Sequence, residues 1–133
     1  MIIDGKKVKE EILEELKNEV DTLEVKPSFV VIQVGNDEAS NVYIRQKSKM
    51  AETIGYGFKH VKLEENVTME EILNLINRLN KDKNIHGIMV QMPLPKQLDT
   101  SVIQNAILPN KDIDGLCELN NGKLMLGEDG LYS

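Results

Sequence analysis

With 133 residues the chain has room for one domain and one core, and too little for a substrate domain together with a full cofactor domain. A net charge of −6, from 22 acidic against 16 basic residues, with two Phe, three Tyr and no Trp, excludes the basic footprint and stacking platforms of nucleic-acid binding. One cysteine, Cys117, cannot form an internal disulfide. The opening Met-Ile-Ile-Asp-Gly-Lys-Lys lacks a signal peptide's apolar stretch, and no apolar run approaches the roughly 20 residues that span a bilayer, so a cytoplasmic protein without a membrane segment is expected.

Val8, Ile12, Leu16, Val20 and Leu23 recur at helical spacing between Asp4-Gly5 and Lys26-Pro27, predicting an amphipathic helix. Ser28-Phe-Val-Val-Ile-Gln-Val34 is a β-branched run that stops at Gly35, a buried strand. A second helix follows to about Ile54, where Gly55 reads as its stop. Residues 56–63 alternate as a strand, and Thr68-Met-Glu-Glu71 is a capping box ahead of Met69, Ile72, Leu73, Ile76 and Leu79. A third strand is expected at 85–92, ended by Pro93 and Pro95. Asp99-Thr-Ser101 caps a short helix through Ile107, and residues 119–126, around Asn121-Gly122, read as a turn or short hairpin. This alternation predicts an α/β fold: one parallel sheet covered by helices on both faces.

Three motifs carry chemistry. Ser40, Tyr43 and Lys47, at i, i+3 and i+7, put a hydroxyl, a phenol and an amine along one helical stripe. The bland alternative is an ordinary amphipathic helix whose lysine snorkels to water. Gln91 ends the third strand, where α/β sheets gather ligands, beside the loop 93–95. Pro109-Asn-Lys-Asp-Ile-Asp-Gly115 crowds a lysine and two carboxylates into a turn, which on its own also reads as a solvated Asx turn. Residues 35–39, residues 91–95 and the 112–114 turn are expected to converge on one sheet edge and line a single cleft.

Other candidates fall away. Gly55-Tyr-Gly57 has His60 in place of a third glycine and precedes a strand, so it is not a dinucleotide fingerprint. His60 and His86 lack metal-ligand spacing and are expected to be strand residues with hydrogen-bond partners; no metal site is expected. Two carboxylates, Asp112 and Asp114, fall short of a hard-cation shell, and Cys117, with no His motif beside it, is expected to be inert and semi-buried.

In series, Val34-Gly35, Ala39-Ser40-Asn-Val-Tyr43-Ile-Arg-Gln-Lys47, Gly55, Gly87-Ile-Met-Val-Gln-Met-Pro-Leu-Pro95, Lys111-Asp-Ile-Asp-Gly115 and Asn120-Asn-Gly-Lys-Leu124 resemble one family. It is the bifunctional methylenetetrahydrofolate dehydrogenase/methenyltetrahydrofolate cyclohydrolase family of one-carbon metabolism. The chain departs from it at Glu38, where Pro is usual, at Met92, where Leu is usual, and near Cys117-Glu118, where the family has a His-Pro pair. The resemblance implies a substrate-binding, catalytic domain over residues 1–133, the N-terminal piece of a two-domain homodimeric enzyme. NADP is then bound mainly by a dinucleotide domain outside this chain.

The implied reactions are oxidation of 5,10-methylenetetrahydrofolate by NADP⁺ and hydrolysis of the methenyl product to 10-formyltetrahydrofolate, which feeds purine biosynthesis. The resemblance assigns Lys47 as the proton-transfer group, assisted by Gln91. It assigns Tyr43 as catalytic and as a face for the aminobenzoate ring, and Asp114 as catalytic and as the partner of the pterin N–H donors. Ser40, Val90, Met92 and Pro93 complete the substrate site, and Asp112 braces the turn. An amine with an ordinary pKa of about 10.4 must be desolvated to serve as a base near neutrality, and a neutral carboxamide orients it without stabilising its charge. Two further readings of the same residues are an unrelated α/β enzyme using Lys47 as a Schiff-base nucleophile, and a non-catalytic module in which Tyr43 and Lys47 bind an anion.

Overall fold

The computed structural model describes residues 4–132. Helix α1 (Gly5–Thr22) starts at Asp4, whose carboxylate accepts from the Lys6 and Lys7 N–H groups, satisfying two of the four orphan donors of a helix start. Strand β1 (Ser28–Val34) is followed by α2 (Glu38–Ile54), β2 (Gly57–Leu63), α3 (Met69–Lys81) and β3 (Gly87–Val90). Gly55 ends α2 at φ 93°, in the left-handed region where the absence of a Cβ removes the steric cost. Thr68 and Glu71 form the reciprocal capping box of α3.

The three strands are parallel, in the order β2-β1-β3. The central strand β1 is buried from Val30 through Val34, and successive residues serve opposite faces. Val30, Ile32 and Val34, with Ile88 and Val90 of β3, pack against Ile72, Ile76 and Leu79 of α3 and Ile103 of the next helix, α4 (Thr100–Ala106). On the other face Val31 and Met89 meet Ile44 of α2, flanked by Phe29 and Phe58, whose rings stand edge to face at 5.3 Å. The expectation of helices on both faces is met, with unequal thickness: the α3 side is a full core, the α2 side a thin one. Of the α1 stripe, Val20 is buried, while Val8, Ile12 and Leu23 remain exposed.

Two expected elements differ. The third strand is shorter than 85–92, because Ile85 N–H closes a turn onto Asp82 O and because Pro93 and Pro95 have no N–H to extend the ladder beyond Gln91. Residues 119–126 are not a turn or hairpin: Glu118–Leu126 is a helix, α5, with Gly122 inside it. Gly in a helix interior costs about 1 kcal/mol relative to Ala. That local preference is overridden by the helix's N-terminal end. The Asp112 carboxylate accepts from Cys117 N–H at 2.8 Å and Asn120 Nδ2 at 3.0 Å, and Asn120 also donates to Pro109 O at 2.9 Å. Gly127, at φ 69°, supplies the left-handed stop.

Residues 111–112 run beside β3. Ile88 N–H donates to Lys111 O at 2.7 Å, and Ile88 forms an isolated parallel bridge with Asp112. The approach is close because residue 87 is glycine: a Cβ there would collide with Ile113 Cγ2 and press on Phe29 Cβ at 3.2 Å. Gly87→Ala is therefore expected to destabilise the fold by about 1–3 kcal/mol, the usual cost of overpacking, with much of it recovered in the Gly87→Ala/Ile113→Ala double variant. Urea unfolding of the four proteins in the cycle measures the coupling, and additive losses would place the strain elsewhere.

Asp112 is 3% exposed. Burial raises its pKa, and hydrogen bonds from Cys117, Asn120 and Leu116 more than offset this, leaving it below the ordinary 3.8. A depressed native pKa contributes stability that is fully present above the unfolded value and is lost as pH falls through the native one. Asp112→Ala should cost about 1–3 kcal/mol near neutrality, because two donors lose their acceptor. The gap from the parent should narrow below pH 3.8, which denaturant titrations across that range test.

Candidate functional site

Helix α2 runs back across the sheet face, so its midpoint, not its end, lies opposite the exit of β3. Lys47 Nζ donates to Gln91 Oε1 at 3.3 Å, joining residues 44 positions apart. The amide nitrogen of Gln91 donates to Met92 O at 3.0 Å, which fixes the carboxamide with its oxygen toward the amine. Gln91 thus offers Lys47 a neutral acceptor.

Asp114 completes the charged part of the site. It is half-buried, and its pKa is raised: burial is the main cause, the Lys47 cation pulls it down, and Asp112 pushes it up. An extended segment would aim Asp112 and Asp114 the same way. Instead Gly115 N–H closes a turn onto Asp112 O at 3.1 Å, and the two carboxylates part: Asp112 braces α5, while Asp114 lines a cavity with Lys47. That cavity is about 460 Å³, and apart from Lys47 and Asp114 its wall is largely apolar, with Phe29, Met50, Met89 and Ile113 prominent. It opens on the α2 face of the sheet.

The expected single cleft at one edge is therefore only partly met. Residues 34–37 and 93–95 do share the carboxyl edge, around a smaller space of about 400 Å³ that Glu65 also lines. The 112–114 turn lies instead beside β3, because its backbone pairs at Ile88.

The remaining sequence candidates occupy distinct environments. Tyr43 is 58% exposed, one helical turn before Lys47, with its ring open to a ligand from solvent. Ser40 is buried, and its hydroxyl lies 2.8 Å from Asp37 Oδ2 and 3.2 Å from Met92 O, so it ties α2 to the β3 exit and presents no free hydroxyl. The side chain of Val90 belongs to the core on the α3 side, leaving only its backbone for a ligand. Met92 packs partly against that core, and Pro93 is exposed.

Sequence reasoning passed over Asp37, which caps α2 through Ser40 N–H at 2.8 Å. The Asp-x-x-Ser spacing at a helix start was the available signal. It also passed over Phe29, Met50 and Ile113, whose convergence needs three separate elements and leaves no local mark.

A dinucleotide does not fit these residues. The turn after β1 that would cradle a pyrophosphate carries Asp37 and Glu38 at the helix start, and α3 and α4 begin with Glu70, Glu71 and Asp99, all repelling a phosphate where the helix dipole would attract one. Among the described residues no group of three or more His, Cys, Asp or Glu could hold a metal ion, and no helix is long and apolar enough to cross a membrane.

Comparison with known proteins supplies the frame. The chain is 47% identical over 133 residues to the bifunctional protein FolD of Chlamydia felis, covering all of this chain and 46% of that one; it spans about half the length of the curated relatives it matches. The FolD methylenetetrahydrofolate dehydrogenase/cyclohydrolase of Campylobacter jejuni superposes with a TM-score of 0.94 at 39% identity, over 97% of this chain and 47% of that one. The Trypanosoma brucei enzyme, solved with NADP cofactor and an inhibitor, gives 0.91 at 34% identity over 98% and 46%. A family model, tetrahydrofolate dehydrogenase/cyclohydrolase, catalytic domain, matches residues 3–114, and the chain belongs to that family.

Proposed function

We propose that residues 1–133 form the folate-binding, catalytic domain of a methylenetetrahydrofolate dehydrogenase/methenyltetrahydrofolate cyclohydrolase of the cytoplasm, a homodimer when complete, supplying one-carbon units for purine biosynthesis. The observation that carries this is Lys47, bonded to Gln91, lining one apolar-walled cavity together with Asp114. The cavity, about 460 Å³, is of a size that suits a small flat heterocycle.

Water addition to the methenyl carbon needs a proton removed from the water and one delivered to the folate nitrogen released when the bridge opens. The Lys47 amine is the group that does both. Gln91 holds that amine in place and, being neutral, leaves it free to exchange a proton. Asp114 accepts from the N–H donors of the pterin edge, and the exposed Tyr43, one helical turn before Lys47, stacks on the aminobenzoate ring. NADP⁺, held by chain outside these residues as the greater length of the relatives suggests, supplies the hydride acceptor when bound; this domain's part is to hold the folate.

Lys47→Met in the complete protein should abolish cyclohydrolase turnover and leave measurable dehydrogenase activity, because only the hydrolytic step demands a proton shuttle. Parallel assays of the two activities check this, and equal loss of both with unchanged folding would count against the division of roles. Asp114→Ala should weaken folate affinity by about 1–3 kcal/mol. Calorimetric titration with a folate analogue reads the change; unaltered affinity would remove Asp114 from the pterin site.

A further inference from the structure

On the face of α2 turned away from Lys47, five polar side chains form an unbroken chain across three elements. Lys62 Nζ of β2 donates to Asn36 Oδ1 in the β1–α2 turn. Asn41 Nδ2, in the first turns of α2, donates to the same oxygen at 3.1 Å. Gln33 Nε2, from the centre of β1, donates to Asn41 Oδ1 at 3.0 Å, and Gln33 Oε1 lies 2.9 Å from Nε2 of His60 on β2. Gln33 is 1% exposed, so neither end of its amide can turn to water.

The direction of this chain follows from one member. Asn, Gln and neutral His each present a donor or an acceptor, and can reverse together. An ammonium group only donates. Lys62 therefore obliges Asn36 to offer its oxygen, so Asn41 must donate its amide nitrogen there and turn its own oxygen to Gln33. Gln33 then gives its nitrogen to Asn41 and its oxygen to His60, and His60 must carry its proton on Nε2.

We propose that Gln33, Asn36 and Asn41 are positioning residues: an amide chain whose polarity is set by Lys62 and read out at His60 clamps the β1–α2 turn and so places Lys47 opposite Gln91. The clamp grips the start of α2 from one side. On the other side the buried Ser40 hydroxyl shares its one proton between Asp37 Oδ2 at 2.8 Å, within the helix cap, and Met92 O at 3.2 Å, at the exit of β3. With both sides held, α2 cannot roll, and a roll is the motion that would open the 3.3 Å contact between Lys47 and Gln91.

Reversing the charge at residue 62 tests the polarity. In Lys62→Glu the carboxylate only accepts, so Asn36 turns its nitrogen outward, each amide reverses in turn, and His60 Nε2 becomes an acceptor with the proton moved to Nδ1. His60 is an exposed residue, so water can meet the new Nδ1–H. Nitrogen-15 NMR of the 133-residue chain, at a pH where His60 is neutral, should show Nε2 protonated in the parent and unprotonated in Lys62→Glu. An Nε2–H ring in both proteins would overturn the polarity argument. Gln33→Met removes the centre of the chain at similar volume, and the side-chain amide signals of Gln91 should then shift and broaden. Gln91 signals identical to the parent's would overturn the positioning role, while the Lys62→Glu result would still report the chain's direction.

Discussion

The Gln91 N–H donates to Ile32 O at 2.8 Å, and this rung beyond the end of β3 is the contact from which the site is built. It holds the first residue after the strand in register with the central strand, and α2, which starts just past the end of that same strand, crosses directly above. An amine halfway along α2 and a carboxamide at the exit of β3 then meet, although 44 residues separate them. A one-residue slip in the β1–β3 pairing would turn Gln91 to the α3 face and leave Lys47 over an apolar surface. Register is protected because Val30, Ile32, Ile88 and Val90 are all buried in the thicker core.

The two faces of the sheet divide the work. Among the described residues the α3 face carries thirteen buried apolar residues in one cluster, against three in the cluster beneath α2, so the first holds the fold and the second leaves room. The cavity between Lys47 and Asp114 lies on the thin side. A site there has packed strands as its floor and a helix as one wall, which keeps charged groups at fixed distances in surroundings where burial already acts on the Asp114 carboxyl.

The two aspartates of the 112–114 turn show how environment separates identical groups. N–H donors hold the Asp112 carboxyl below its ordinary pKa, while burial pushes that of Asp114 above it. The first is structural, tying α5 to the turn, and the second is left to face Lys47.

Much of this was legible in the sequence because it is encoded over short distances. The β-branched run at 28–34, the capping box at Thr68 and Glu71, the stop at Gly55 and the i, i+3, i+7 stripe on α2 each depend on neighbours within a turn or a strand, and each element formed where its pattern predicted. Asn121-Gly122 misled for the converse reason: its local preference for a turn was outweighed by the contacts of Asn120 and Cys117 with Asp112, which exist only once the chain has folded back. The stripe likewise named Ser40, Tyr43 and Lys47 together, yet burial set them in different surroundings, since a helix sends its faces to whatever lies beside them. Which apolar residues would wall the cavity, and which side of α2 the Gln33 amide would hold, were decided by strand order and helix placement. Those are properties of long-range packing, and no window of sequence contains them.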